Sequence, residues 1–352
     1  MALYAFDGFD HYGNYTSNGG DMLSRSGRLI WTGNPSLNGS SVGRAGYGKS
    51  VFFSSGGLGL IGVLASQFTH FFAGFALQMT QPGNVSVAFL DMTAGSGGTI
   101  QFSLVFNFTT ATIQIFNGAG AMQISSAAGA FTPTLFNYVE IGAVVAASGS
   151  VTVRINGVQV LTVAFDTVAS ANTWVNGMSF SNIGGGSGNQ YALDDLYWCD
   201  NTTGPGANPM NTFLGDVAVE TLYPASNHAV SWTPLAGTNW QEISETGMDA
   251  DTTYNATATV ANVDTFNFQS LRAATNQVLA VQVVGAYRKD DATARVVQQR
   301  VLSGAVVGQG TALSIPTTYT YAVDVFVEDP NTAAAWTVAG VDALQAGYEL
   351  TA

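Results

Sequence analysis

The chain is poor in the residues from which most active sites and most cation-dependent interfaces are made. It has a single cysteine, Cys199, in 352 residues, so no internal disulfide is available. Such a chain is made in a reducing compartment or does not need bridges. Cys199 follows Trp198 at a strand end with no histidine near it in sequence, which marks a packed thiol rather than a nucleophile. Lysine is reduced to Lys49 and Lys289, charged residues make up 9% of the chain, and the formal net charge is −13. Nucleic acid and anionic membrane both demand clustered cations, so neither is an expected partner; the acidity reads as a solubility device. His11, His70 and His228 are far apart, with no His-x-x-x-His or Cys/His spacing. A zinc site or a Ser-His-Asp triad therefore has little support.

Other patterns are missing too. The N-terminus MALYAFDGFDHYG lacks a basic stretch followed by an apolar run, so no signal peptide is expected. The apolar stretch 58–79 is interrupted by Gln67, Thr69 and His70 and has no flanking cations. It reads as a turn region leading into a buried strand near 71–79, not as a membrane span. SNIGGGSGN (181–189) is glycine-rich but lacks the lysine and helix of a phosphate loop, and reads as a turn.

What is present is apolar material and turn residues: 47% hydrophobic residues and 41 glycines, the composition of an all-β chain with tight turns. Residues 2–7 read as a first strand, and 13–50 as a long, largely irregular excursion. Phe75, Leu77 and Met79 alternate, QPGN turns the chain, and Val85, Val87 and Phe89 follow. Ile100 to Phe108 gives the cleanest period-two run. In SVTVRINGVQVLTV (150–163), Asn156-Gly157 is the preferred pair for a type I′ hairpin. That turn predicts Ile155 opposite Val158, Val153 opposite Val160 and Val151 opposite Thr162 on one face, with Arg154 and Gln159 on the other.

Residues 191–198 read as a closing strand, 201–213 as a connector rich in Asn, Thr, Gly and Pro, and 217–222 as the opening strand of a second unit. Further strands are expected near 230–233, 263–268, 278–286, 295–302 and 319–327, with LSGAVVGQG (302–310) as a turn. Thr337 is placed to cap a short helix over 338–345, with Gly347 after its end and Trp336 as a core plug before it. The expected organisation is a jelly roll over 1–200, a connector over 201–213 and a second β-sandwich-like domain over 214–352.

Two resemblances add to this. An aromatic-plus-Glu strand (Tyr138, Val139, Glu140), then GSVTVRINGVQVL, then YALDDLYWCD, resembles the concanavalin A-like, laminin-G-like jelly roll over roughly 1–200. It implies that the late strand lies beside the N-terminal strand, and it is nearly silent about function. FDGFDHYG, YALDDLYWCD, FLGDVAVETLYP, WTPLAGTNWQEI, DADTTYNATATVANVDTFNF and DPNTAAAWT are together similar to virion structural proteins of tailed bacteriophages, most strongly over 191–268. That similarity implies a non-enzymatic virion component, a tail, fibre or head-decoration protein. It would be assembled in the bacterial host cytoplasm as a homo-oligomer in contact with other virion proteins. The alternative is a receptor-binding protein that recognises host glycan through the lectin-like domain. A polysaccharide hydrolase ranks behind both, since the Glu-x-Asp-x-Glu pattern of lectin-fold glucanases is absent.

The expectation is of no catalytic residue and no cofactor, with Ca²⁺ as the one metal worth weighing. Asp194 and Asp195, joined by Asp7 and Asp10 if the N-terminal strand pairs as expected, would be its ligands. Adjacent strand residues point to opposite faces, so without a bulge the pair cannot chelate one ion; capping of backbone N–H groups is the preferred role. Trp31, Trp174, Tyr15 and Tyr47 lie in loop-like contexts as a weak hint of glycan stacking. Leu214 and Val217 are predicted to contact the first domain.

Overall fold

The structure is a computed structural model that describes residues 3–12, 28–32, 37–53, 59–94, 97–183, 190–204, 210–272 and 277–352. The chain is nearly all β, with one α-helix among the described residues, Val338–Asp342, and one short strand after another.

The first unit is a jelly-roll sandwich of two antiparallel sheets. One runs in the order Val158–Phe165, Gly149–Ile155, Asn137–Val144, His70–Met79, Tyr191–Asp200, Lys49–Phe53, Leu37–Val42, with Leu3–Asp7 also paired to Tyr191–Asp200. The other runs Met122–Ser125, Thr112–Asn117, Thr99–Asn107, Asn84–Asp91, Val175–Ile183, Leu60–Phe68, Leu29–Thr32. The late strand thus lies beside the N-terminal one, as the jelly-roll resemblance implies. Alternation does the sorting: Phe102, Leu104 and Phe106 are fully buried between the sheets. The layers meet in a ring stack in which Phe71 lies 4.2 Å from Trp198 and Phe89 lies 4.8 Å from Phe102. Such pairs add about 0.5–1.5 kcal/mol each beyond their buried area.

The Asn-Gly hairpin forms with both turn residues left-handed, Asn156 at φ 50° and Gly157 at φ 80°. Its register is as predicted only next to the turn. Ile155 faces Val158 and Arg154 faces Gln159, but beyond them Val153 faces Leu161, Thr152 faces Thr162 and Val151 faces Val163. A bulge inserts one residue at Val160. It turns Leu161 inward and leaves Val158 66% exposed, so the expected six-residue face does not form. The stretch 58–79 carries two strands rather than one, and the excursion 13–50 contains Leu29–Thr32 and Leu37–Val42, with 13–27 and 33–36 outside the described residues.

The second unit has a five-stranded sheet, Pro224–Ala229, Val263–Phe268, Gln345–Leu350, Val296–Ser303, Val306–Ser314, together with the ribbon Val281–Tyr287/Thr320–Phe326 and the short pair Thr233–Pro234/Asn255–Ala256. Three expectations are corrected. Residues 217–222 form no strand, because part of their backbone bonding goes to side chains of the sandwich: Val219 N donates to Asp195 and Val217 O accepts from Arg44. A strand at 230–233 is replaced by Thr233–Pro234. LSGAVVGQG is a tight turn at Gly304 (φ 57°) followed by a nine-residue strand.

Thr337 caps the helix, its side chain accepting from Gly340 N at 3.0 Å. The helix ends at Asp342, and Gly347 belongs to the last strand instead. There the backbone of Asp264 approaches so closely that a Cβ on Gly347 would sit 1.9 Å from its carbonyl oxygen. Trp336 is buried and its Nε1 donates to Phe326 O at 2.8 Å.

Candidate functional site: an acidic, tyrosine-rimmed cleft

The strand Tyr191–Asp200 loses register between Asp194 and Tyr197, and Asp195 sits at φ 51°. This bulge frees the two aspartates from strict alternation and lets both reach Arg44. Asp194 Oδ2 accepts from Arg44 N at 2.8 Å and its Oδ1 from Asp195 N at 2.9 Å. Asp195 Oδ2 accepts from Arg44 Nε at 2.8 Å and its Oδ1 from Val219 N at 2.7 Å. The guanidinium also donates to Asp216 and to Val217 O, and lies 5.0 Å from the centre of the Tyr138 ring. Burial raises the pKa of both Asp194 and Asp195; the charge of Asp195 adds to the rise at Asp194, while at Asp195 the Val219 N–H and the Arg44 guanidinium hold the rise back.

Arg44 thus clasps the sandwich to the segment after the connector. Leu214 and Val217 pack against the cluster of Leu3, Ala76, Tyr138, Tyr197, Cys199 and Met210. Leu214 N donates to Tyr197 Oη at 3.2 Å, and Gly215 N donates to Glu140 Oε1 at 2.8 Å. Cys199 is fully buried, and burial pushes its thiol far up, which is the electrostatics of a packed thiol.

Beside the clasp, a cleft of about 930 Å³ opens between the sandwich and the second unit. Asp10 and Tyr47 line it from the sandwich, Glu220 and Tyr223 from the segment after the connector, and Glu245 and Tyr319 from the second unit. Tyr223 Oη bridges the cleft, donating to Asp10 O at 3.2 Å. Burial pushes Asp10 up to about 6, against the hydrogen bond from Lys49 N and with the charge of Asp195 adding to the rise. Deeper in, the lining turns apolar, with Phe266 and Val283.

Of the four aspartates weighed for Ca²⁺, three (Asp10, Asp194 and Asp195) line the cleft. Asp7 does not: it pins the N-terminal turn, accepting from Phe9 N at 2.8 Å, Trp31 Nε1 at 2.9 Å and the Tyr12 hydroxyl. The carboxylate oxygens of Asp194 and Asp195 are committed to N–H donors. Among the described residues no three His, Cys, Asp or Glu side chains are grouped to hold a metal ion.

The aromatic quartet does not assemble. Trp31 is fully buried against Phe9, so it offers no face to a sugar. Trp174 is half-buried at a different loop, its backbone carbonyl held by Gln101 Nε2 at 3.0 Å. Tyr15 lies outside the described residues. Of the three that are described, only Tyr47 borders the cleft, with the Arg272 guanidinium 4.3 Å from its ring centre. Sequence reasoning missed Arg44, Glu220, Tyr223, Glu245 and Tyr319. For Arg44 the one signal is the scarcity of cations, which makes each arginine worth tracing; the other four carry none.

No family model matches the sequence, and no curated protein does. Solved structures similar to part of the chain include the alginate lyase Aly36B, at 16% identity over 43% of this chain and 80% of that one, TM-score 0.30. The lectin-like defence protein arcelin-5 from Phaseolus vulgaris is 10% identical over 55% of this chain and 97% of that one, TM-score 0.36. A legume lectin-like domain from Entamoeba histolytica is 12% identical over 49% and 89%, TM-score 0.33. With an alginate lyase among these neighbours, the expectation that the chain is not an enzyme is not kept. At such TM-scores the likeness assigns this chain neither an activity nor a ligand.

Proposed function

We propose that this is a carbohydrate-binding protein whose saccharide site is the cleft between the jelly roll and the second unit. The observation that carries the reading is the lining itself: Tyr47, Tyr223 and Tyr319 together with Asp10, Glu220 and Glu245, around about 930 Å³. A pyranose presents C–H faces that stack on tyrosine rings and hydroxyls that donate to carboxylates, and a concave site with a few convergent polar groups is the usual form of a small-molecule site. The two units, divided at 201–213, act in this reading as one binding module, because the cleft takes its walls from both.

A place on the surface of a phage particle rests on the resemblance of the quoted motifs alone. Detection of the chain on purified particles by labelled antibody tests it. The saccharide reading is tested by screening the full chain on an oligosaccharide array and titrating the hits against Tyr47→Ala. A hit whose affinity falls at least about tenfold in that variant supports the cleft; no hit on the array, or hits indifferent to Tyr47, reject it.

A further inference from the structure

Resting on the saccharide reading, the depth of the cleft says what the rest of the ligand is. Both apolar clusters of the second unit wall it: Phe266 and Tyr348 from one, Leu344 from the other, with Phe268 packed against both. In a close-packed domain such clusters merge into one core; here about 930 Å³ of open volume borders both. The strand Val281–Tyr287 shows the consequence. It pairs with Thr320–Phe326 as a ribbon apart from the five-stranded sheet, and six of its seven residues stay half-buried. Val281 and Val283, two apart and so on one face of the strand, pack on the second cluster and line the cleft. Apolar walls open to water favour an apolar guest. A pyranose stacked on Tyr47 lies at the rim and leaves these walls uncovered.

We propose that the ligand is a glycolipid: its sugar sits on the tyrosines at the mouth, and its hydrocarbon chain enters the second unit against Phe268 of the five-stranded sheet and Val281 and Val283 of the ribbon. The chain then completes the divided core, joining the two apolar clusters through itself. The head is uncharged. Among the described residues no lysine or arginine lines the cleft, and the arginines beside it are paired, Arg44 with Asp195 and Asp216, Arg272 with Glu220. A phosphate or carboxylate head finds no free cation there, and burying a charge without a partner is costly. Each methylene of the chain that is fully buried multiplies affinity by about fourfold.

The test is calorimetric titration of the full chain with methyl, hexyl and octyl β-glucoside, 1-octanol and octanoate, each below the concentration at which it self-associates. Octyl glucoside is expected to bind at least about fivefold tighter than hexyl glucoside. Methyl glucoside should be weaker still, and the heat-capacity change should grow more negative with chain length. Octanoate is expected to bind at least about tenfold more weakly than octyl glucoside. Val283→Gln puts an amide in the path of the chain and should remove the gain from hexyl to octyl. Val283→Thr, of nearly the same shape, should reduce that gain and guards against a folding defect. Val158→Gln, at a 66% exposed valine outside the cleft, should keep it. Equal affinity for methyl and octyl glucoside overturns the inference and leaves the saccharide reading untouched. A gain unchanged in both Val283 variants, or lost equally in Val158→Gln, overturns it too. Octanoate binding as tightly as octyl glucoside overturns the uncharged head. If 1-octanol binds as tightly as octyl glucoside, the chain site is upheld and the saccharide reading falls, since the sugar then adds nothing. Silence from every probe overturns the chain site, and the saccharide reading is then decided by the array.

Discussion

The two halves of this molecule are both β, yet they are held together differently. In the sandwich, the central strand Asn137–Val144 is buried at seven of its eight residues. In the second unit, the strand Val281–Tyr287 is only half-buried at six of seven. The sandwich has one continuous apolar core spanning both sheets, whereas the second unit divides its apolar residues into two small clusters, one around Phe266 and Tyr348, the other around Val301 and Trp336. Polar groups take up part of the work there. Asp264, fully buried, accepts from Ser231 N at 2.7 Å, Trp232 N at 2.9 Å and Asn239 Nδ2 at 2.9 Å. Such satisfied buried networks specify one arrangement, but they fail hard when one partner is lost. Both units hold buried polar networks, Asp7 and Gln101 in the sandwich as Asp264 in the second unit; the lesson is that the sandwich adds to them one continuous apolar core, while the second unit, with its divided clusters, leans more on that lacing and on the Arg44 clasp.

The strongest test of that contrast is a matched pair of tryptophans. Trp198→Ala removes the ring stacked between the sheets and is expected to cost about 4–5 kcal/mol in denaturant unfolding; Trp336→Ala, in its small cluster, about 3 kcal/mol. Equal costs would erase the distinction. Arg44→Ala leaves Asp195 buried without its cation, at an expected cost of about 3 kcal/mol. Hydrogen exchange should then show the Val219 amide opening first, since its acceptor is Asp195. If protection at Val219 is unchanged, the clasp does not join the halves. Asp264→Ala strands three donors in the second unit and is expected to cost about 2 kcal/mol, with unfolding of the sandwich unaffected.

The smallest effect is on pH dependence. Asp10 is held near 6 in the folded chain against 3.8 for the free group, so the native state binds more protons than the unfolded one between these values. Its contribution to stability is therefore fully present below about 4 and is lost as pH rises through about 6. Asp10→Asn removes that slope. The variant gains on the native chain between pH 4 and 7, read as a shift in urea midpoint, and a parallel pair of curves would show that Asp10 is not under strain.

Much of the architecture is legible in one dimension because strands carry a period of two and turns have their own chemistry. The run Phe102 to Phe106, the Asn156-Gly157 turn and the cap at Thr337 all rest on contacts within a few residues, whereas the expected alternation ends at a bulge that buries Gln101 and leaves Ile100 43% exposed. What fails is what depends on a distant partner. The register beyond Gln159 depends on a bulge that lets Leu161 enter the core, and 217–222 abandons strand pairing because Asp195 and Arg44 take its backbone groups. Gly347 reads as a helix stop but serves close packing against Asp264.

The site follows the same division. That Asp194 and Asp195 favour backbone capping over a shared ion is an argument about alternation, and it can be made from two adjacent letters. That a bulge lets both reach one arginine cannot, because the bulge exists only where Tyr191–Asp200 meets its neighbours. By itself the sequence determined the all-β class, the chief turns and the scarcity of cations. Tertiary structure alone decided which carboxylates and tyrosines face one another across the cleft, because those residues lie up to some three hundred positions apart, from Asp10 to Tyr319. Local propensity carries no information over such a distance, and only the packing of one unit on the other supplies it.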